Sequence, residues 1–372
     1  MTYPAETMPR RRRWPIFAPL AIVIILALGW TALWFYASGA ARTAIDGWRA
    51  REAQAGRVYS CGREDYSGFP FRIEVRCAAA NAELRNPGSA LALKLNDVVV
   101  AAQIYQPNLL IAELAGPLTI GEVGRSPDLS ANWKLAQVSA RGTPSAPERV
   151  SIALDQARFD RIASATQETI VSANRIELHG RLAGGTVDNN PVIEVAAKLG
   201  GALAPSVHPL LGAPLDADLA VTLHGLRDFA PKPWPDRFRE LQAQDGRLVI
   251  ANIRLAQGEL LAIGAGTLKL TPRGGLDGQL QVTVAGIDRV LKQLKLDLPA
   301  QDSPAVSALD RLLPGLGNIA RQNAGPALAA GLSFIGQPTT LEGRQAVSLP
   351  LRFADGAVFL GPLPVGRVPP LF

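Results

Sequence analysis

At 372 residues, 48% hydrophobic and 19% charged, the chain can form two ordinary domains or one large all-β body, and its composition excludes wholesale disorder. The net charge of +6 is uneven: Arg10, Arg11, Arg12 and Arg13 against Glu6 place +3 in the first fifteen residues, leaving +3 for everything after them. No basic stripe with interleaved aromatics remains, so no nucleic-acid partner is expected.

From Ile16 to Ala37 the chain runs 22 residues without a charge. At 1.5 Å per residue that is roughly 33 Å, enough to cross a ~30 Å hydrocarbon core. Trp14, Ile16, Ile22, Ile24, Leu28 and Trp34 are the candidate anchor residues. The two tryptophans lie toward opposite ends, where amphipathic rings favour the headgroups. A cleavable signal peptide is the competing reading, with Ser38-Gly39-Ala40 as small residues near a cut. Its apolar core would usually run only ~7–15 residues, which favours an uncleaved anchor. Arg42, Arg49, Arg51 and Arg57 follow the span and nearly balance the leading cluster. The short N-terminal tail is the better guide, because long domains translocate largely regardless of charge. The expectation is a bacterial inner-membrane protein with residues 1–15 cytoplasmic, 16–37 spanning, and 38–372 periplasmic. Ala40 to Gln54 reads as a short helix continuing from the membrane.

Cys61 and Cys77 are the only cysteines. Before them "RVYSC" is a short candidate strand and "GREDYSGFP" is rich in turn residues. In "FRIEVRC", Phe71, Ile73, Val75 and Cys77 point one way and Arg72, Glu74 and Arg76 the other, the pattern of a half-buried strand. A hairpin would bring the sulfurs together, and structural disulfides belong to oxidising compartments. Two unpaired buried thiols and a metal or redox pair are the alternatives. The absence of a nearby His and of C-x-x-C spacing weakens the metal and redox readings.

The anchor, the block Cys61…Gly68-Phe69-Pro70-Phe71-Arg72…Cys77 and the ending "RFADGAVFLGPLPVGRVPPLF" together resemble the proteobacterial domain-of-unknown-function family 2125. That resemblance implies an envelope protein and no catalytic residue. The segment "GTLKLTPRGGLDGQLQVTV" also looks loosely like AsmA-type envelope proteins, which are β-rich, anchored and associated with lipid movement or outer-membrane assembly.

Period-2 alternation dominates beyond the cysteines. It recurs in Leu91/Leu93/Leu95, Val98/Val100/Ala102/Ile104, Val150/Ile152/Leu154, Ile193/Val195/Ala197, Leu215 to Leu223, Leu268/Leu270, Leu280/Val282/Val284 and Val347 to Phe353. Such alternation marks antiparallel strands with one buried and one wet face. Asp277-Gly278, Asp355-Gly356 and Gly200-Gly201 are the candidate reversals. The predicted fold is therefore mainly β (β-rich α+β): an N-terminal transmembrane helix, then a large curved antiparallel sheet with a few packing helices. "PKPWP" at Pro231–Pro235 is the best internal boundary, dividing a β-rich region 38–230 from a second one, 231–372. Asp236 is the predicted N-cap of a helix over "RFRELQAQ". Amphipathic helices are predicted around Ile287–Leu294 and Leu309–Leu316.

No catalytic constellation stands out. His179, His208 and His224 lie on separate segments, and Asp155, Asp160, Glu177 and Asp188 would pair only if the fold assembled them. "GLGNIA" at Gly315–Ala320 fits a dinucleotide pattern but follows a helical stretch rather than a strand. "GLSFIG" at Gly331–Gly336 has one residue too many for a hydrolase elbow. No enzyme, metal or cofactor is expected. The apolar faces themselves remain: a candidate groove of Leu280, Val282, Val284, Val290 and Leu294 would take lipid or another apolar ligand, or support envelope assembly with other envelope proteins as partners. The alternative is a structural or protein-interaction module with a closed core.

Overall fold

A computed structural model of the chain describes residues 14–86, 89–143, 146–163, 166–229, 232–286, 336–360 and 363–372. A single long helix, α1 (Trp14–Gln54), contains both the uncharged run and the predicted continuation, with no break between them. It is long and apolar enough to cross a membrane. A second helix, α2 (Trp234–Ala243), is short. Its N-cap is Pro233 rather than Asp236, which falls in the first turn and pairs with Arg239 at 2.8 Å. Proline at the helix start gives up an N–H that would have no partner there, so no carboxylate cap is needed.

Apart from a 3-10 turn at Pro209–Gly212, the other regular elements among the described residues are strands: β1 (Arg57–Ser67), β2 (Arg72–Asn86), β3 (Ser89–Gln103), β4 (Gln106–Glu122), β5 (Leu129–Asn132), β6 (Leu135–Thr143), β7 (Ala146–Ala163), β8 (Thr166–Thr186) and β9 (Asn189–Ala202). Then follow β10 (Leu215–His224), β11 (Arg247–Gln257), β12 (Leu260–Leu270), β13 (Leu276–Ala285), β14 (Gln337–Leu341), β15 (Arg344–Ala354), β16 (Ala357–Leu360) and β17 (Leu363–Arg367). All pair antiparallel in one sheet, almost entirely as a meander in which each strand bonds to the next. Hydrogen bonding continues from β10 to β11 across the position of the Pro231–Pro235 break. The predicted helices at 287–294 and 309–316 and both near-motifs, "GLGNIA" and "GLSFIG", rest on residues outside those described.

Turn chemistry explains where the expected reversals hold. Asp355 and Gly356 both take positive φ, 47° and 81°, between β15 and β16, the demand of a tight primed turn. Asp277-Gly278 and Gly200-Gly201 instead lie inside β13 and β9. The β12–β13 reversal is closed upstream, where Gly275 O accepts from the Thr271 N–H at 2.8 Å and Thr271 O from the Gly274 N–H at 2.9 Å. Gly278 sits where a Cβ would come within 2.2 Å of Thr267 O, so it serves close strand approach rather than turning.

A crease crosses the sheet from β1 to β10. Pairing skips Gly62 against Ala79, steps between Asn96 and Gly116-Pro117, breaks between β5 and β6, and skips Gln156 against Asn174. Ala79, Gln156 and Gly201 take left-handed φ of 50°, 51° and 61° along it. Side chains serve the backbone groups left over: Asn96 Nδ2 donates to Gly116 O at 2.8 Å, Trp133 Nε1 to Leu114 O at 2.7 Å, and Asp216 Oδ1 accepts from the Gly201 N–H at 2.8 Å. Bulges of this kind bend a sheet and increase its twist.

The crease also explains the disulfide. Strand β1 extends through the stretch expected to be a loop, so that only Gly68–Phe71 turns. Cys61 then faces Ala80 while Cys77 faces Glu64, three residues out of step. An unbroken pleat would aim them at opposite faces. The left-handed Ala79 resets the phase, and Cys61 and Cys77 are bonded with Cα atoms 5.3 Å apart.

One edge of the sheet is covered. Helix α1 lies along β1, where Trp48 stacks on Tyr59 at 4.8 Å and Arg49 pairs with Glu64 at 2.6 Å. Burial would raise the Glu64 pKa, but hydrogen bonds from Tyr66 and Arg49 outweigh it and hold the carboxyl below its usual range. Tyr66 is pushed up to about 12, by burial first and then by the adjoining Glu64. At the other end, Pro364 in β17 and the following Pro369-Pro370 remove donors from the edge.

Across the crease from the Gly68–Phe71 turn, Asp160 is 1% exposed. It accepts from Thr169 Oγ1 at 2.7 Å, Gln167 Nε2 at 2.8 Å and Arg158 Nε at 3.0 Å. Burial alone would raise its pKa, yet these donors hold it below the ordinary carboxylate value. A depressed folded pKa stabilises above the unfolded value near ~3.9, and that contribution disappears as pH falls through the folded one. Asp160→Ala is therefore expected to cost roughly 2–3 kcal/mol at neutral pH by stranding buried donors. Urea unfolding of wild type and variant at pH 7 and pH 3 checks this, with the gap narrowing at the lower pH.

Candidate functional site

Cross-strand neighbours in a sheet share a face. Following the pairings from β2 gives Val75, Val100, Ala112, Val138, Ile152, Leu178, Ala197, Leu219, Ile253, Gly264, Val282 and Leu349, each directly opposite the next. No polar side chain interrupts this row across the twelve strands it visits. The parallel row from Ile73 through Leu110, Val150, Val195, Ile250 and Leu280 to Leu351 has none either. At ~4.8 Å between strands the two rows extend for about 50 Å.

The opposite face is an ion-pair ladder. Gln137 bonds Glu113 at 3.0 Å, Arg175 joins both Asp155 and Glu177, Arg181 meets Glu194 at 2.5 Å, and Lys198 reaches Asp218 at 4.0 Å. Glu177 is lowered chiefly by its hydrogen bond from Arg175, with a second from His179. Asp155 and Glu177 are thus brought to one arginine, and the hydrogen bond from Arg175 favours the ionised form of Glu177. Asp160 is held by its own donors on β7 and β8, and Asp188 lies in the β8–β9 turn. His179 sits beside Glu177 at 3.3 Å, while His208 and His224 belong to other segments. Among the described residues, no group of three or more His, Cys, Asp or Glu is placed to hold a metal ion. A shallow depression of about 440 Å³ on this polar face is lined by Arg149, His179, Arg181 and Glu194.

The apolar rows are not uniform. Toward the C-terminal strands they close: Ile250, Leu268 and Leu280 form a buried cluster with Val221, Leu248, Val282, Leu351 and Phe353 packed against it. Toward β2–β10 they open, with Val150 38% and Leu178 43% exposed. Of the predicted groove, Leu280 and Val282 therefore fall at the closed end, Val284 shares their face half-buried, and Val290 and Leu294 lie outside the described residues. The open stretch around Ile152 and Leu178 was not singled out from sequence. Its alternation is visible there, but alternation does not say which strands align.

The aromatic residues of α1 meet the sheet at one end. Trp34 is buried, and its Nε1 donates to Arg72 O at 2.8 Å, while Trp30 Nε1 donates to Pro70 O at 2.7 Å. Ile22, Ile24 and Leu28 are exposed on α1, which Trp14 and Ile16 begin.

A family model described as an uncharacterized protein conserved in bacteria (DUF2125) matches residues 34–369. The chain belongs to the DUF2125 family. The DUF2125 match begins at Trp34, the residue whose indole ties the helix to the Phe71–Arg72 end of the sheet, and it covers every strand described above. No curated protein matches the chain.

Proposed function

We propose that this protein is a non-enzymatic, membrane-anchored factor of the bacterial envelope, with α1 in the inner membrane, its sheet in the periplasm, and lipid acyl chains or another apolar ligand held on the apolar face. The observation that carries the reading is the two unbroken apolar rows, open from β2 to β10. That open stretch amounts to on the order of 500 Å² at ~4.8 Å between strands and ~7 Å between like-facing residues. Val150 and Leu178 are its most exposed points and the other row residues there are half-buried; an apolar patch of this footprint is often a functional one. The disulfide supports an oxidising compartment. On the other face Asp155, Arg175 and Glu177, and Arg181 and Glu194, are engaged with one another, consistent with a solvated exterior rather than a reaction site.

The test places a photo-crosslinking amino acid at Leu178, on the apolar face, and separately at His179, its neighbour on the polar face, in the full chain in living cells. Irradiation is expected to give an acyl-chain-containing adduct by mass spectrometry at 178 and none at 179. Protein adducts alone at 178 would instead favour a structural or protein-interaction module.

A further inference from the structure

The Gly68–Phe71 turn between β1 and β2 meets α1 inside its apolar run, not beyond it. Trp30, which holds the turn, lies seven residues before Ala37, the last residue of the uncharged run. At 1.5 Å per residue that is roughly 10 Å short of the end of the span. Taking α1 as a membrane anchor, the reading on which this rests, we infer that the hairpin tip Phe69-Pro70-Phe71 is itself embedded in the leaflet from which α1 emerges.

The tip is built for that solvent. Backbone that enters hydrocarbon must have its polar groups satisfied internally. Here Gly68 O accepts from the Arg72 N–H at 3.1 Å, Pro70 O from Trp30 Nε1, Phe71 O from the Ile104 N–H at 3.1 Å, and Arg72 O from Trp34 Nε1. Both indole N–H groups, which would be stranded in lipid, are consumed by the same contacts. The side chains left facing outward are apolar: Phe69 is 54% and Phe71 63% exposed, although Trp34 and Trp30 pack against them at ring distances of 5.6 and 6.1 Å. Two flanking groups suit the headgroup level. Arg72 extends from the next position with its guanidinium paired to Glu74 at 2.9 Å, and Tyr105 is exposed on the adjoining β3–β4 turn. Phe71 ends the turn two residues before Ile73, the first residue of the second apolar row, so an embedded tip leads into the rows from within the bilayer.

The experiment uses the full chain in vesicles of phosphatidylethanolamine and phosphatidylglycerol with brominated acyl chains. A fluorescent amino acid is placed singly at Leu26 on α1, at Phe69, and at Ser126 in the β4–β5 turn at the far end of the sheet. A version at Phe71 guards against disturbance of the turn by the first. Quenching at 69 or 71 within about twofold of that at 26 is expected, since both lie inside the ~30 Å core, with none at 126. Strong quenching at 26 with 69 and 71 behaving like 126 overturns the inference and leaves the anchor standing. In that case Phe69 and Phe71 are covered by protein or water. No quenching at 26 overturns the anchor, and the inference with it.

Discussion

Leu280→Asp is expected to unfold the C-terminal part of the sheet, at a cost of roughly 5 kcal/mol or more. Leu280 is buried with Ile250 and Leu268, and Val282, Leu351 and Phe353 close around them. Gly266, its cross-strand partner, leaves no Cβ in the way; one there would come within 2.1 Å of Gln279 O, so the backbones are already at contact. Loss of the leucine removes about 2–5 kcal/mol of burial and packing, and a carboxylate in its place must be desolvated or protonated. The matching substitution at the open end, Leu178→Asp, is expected to change stability by no more than about 1 kcal/mol, because that side chain already meets solvent. Urea titration of both variants followed by circular dichroism measures the contrast. Equal, small effects would show that the face does not close at β13, and the reading of an open and a closed end would have to be abandoned.

The second large effect is expected at the cysteines. Replacing both Cys61 and Cys77 by Ser should lower stability by about 3 kcal/mol, the chain-entropy value for a loop of this length. The bond joins β1 to β2 where pairing skips Gly62 and Ala79, so it braces the hairpin at its weakest register point. It also lies beside the α1 contact, since Arg49 Nη2 is 3.4 Å from Cys61 Sγ. The loss should therefore be read both in the urea midpoint and in protease sensitivity between Gln54 and Arg57, where α1 passes into β1. A double variant as stable as wild type would mean that the ladder and the helix suffice to hold the hairpin.

Legibility differed with the range of the forces involved. The membrane-length run, the strand character and the half-buried Ile73, Val75 and Cys77 depend on residues close together in the chain and could be read locally, whereas Phe71, expected on the same face, ends the turn and is exposed. Asp355-Gly356 was legible for the same reason, because two successive positive φ angles demand those residue types. Asp277-Gly278 and Gly200-Gly201 carry the same signal for a different cause: Gly278 permits close strand approach, and Gly201 takes a left-handed φ beside Asn174 on the crease. A glycine marks an unusual backbone demand without saying which one. Asp236 misled similarly, since the N-cap already falls at Pro233, three positions before it, and a good capping residue inside the first turn is pre-empted.

The candidate groove shows the limit most clearly. Leu280 and Val282 alternate clearly, and that quality is what a closed core rewards as much as an open groove does. Val150 and Leu178, which remain exposed, alternate no better in sequence. Their difference arises from what lies across the sheet and from its curvature, neither of which a strand carries in its own residues.

By itself, then, the sequence determined an apolar helix of membrane length and a body of one-sided antiparallel strands, and it placed two cysteines within reach of one hairpin, because periodicity, charge and length act within a few residues of one another. Only the tertiary structure decided that Trp30 and Trp34 hand their N–H groups to a hairpin tip, that a left-handed Ala79 turns the two sulfurs to one side, and that separate apolar strands align into unbroken rows. Each of these rests on register, and a shift of one residue in pairing would exchange the two faces while leaving every local pattern unchanged.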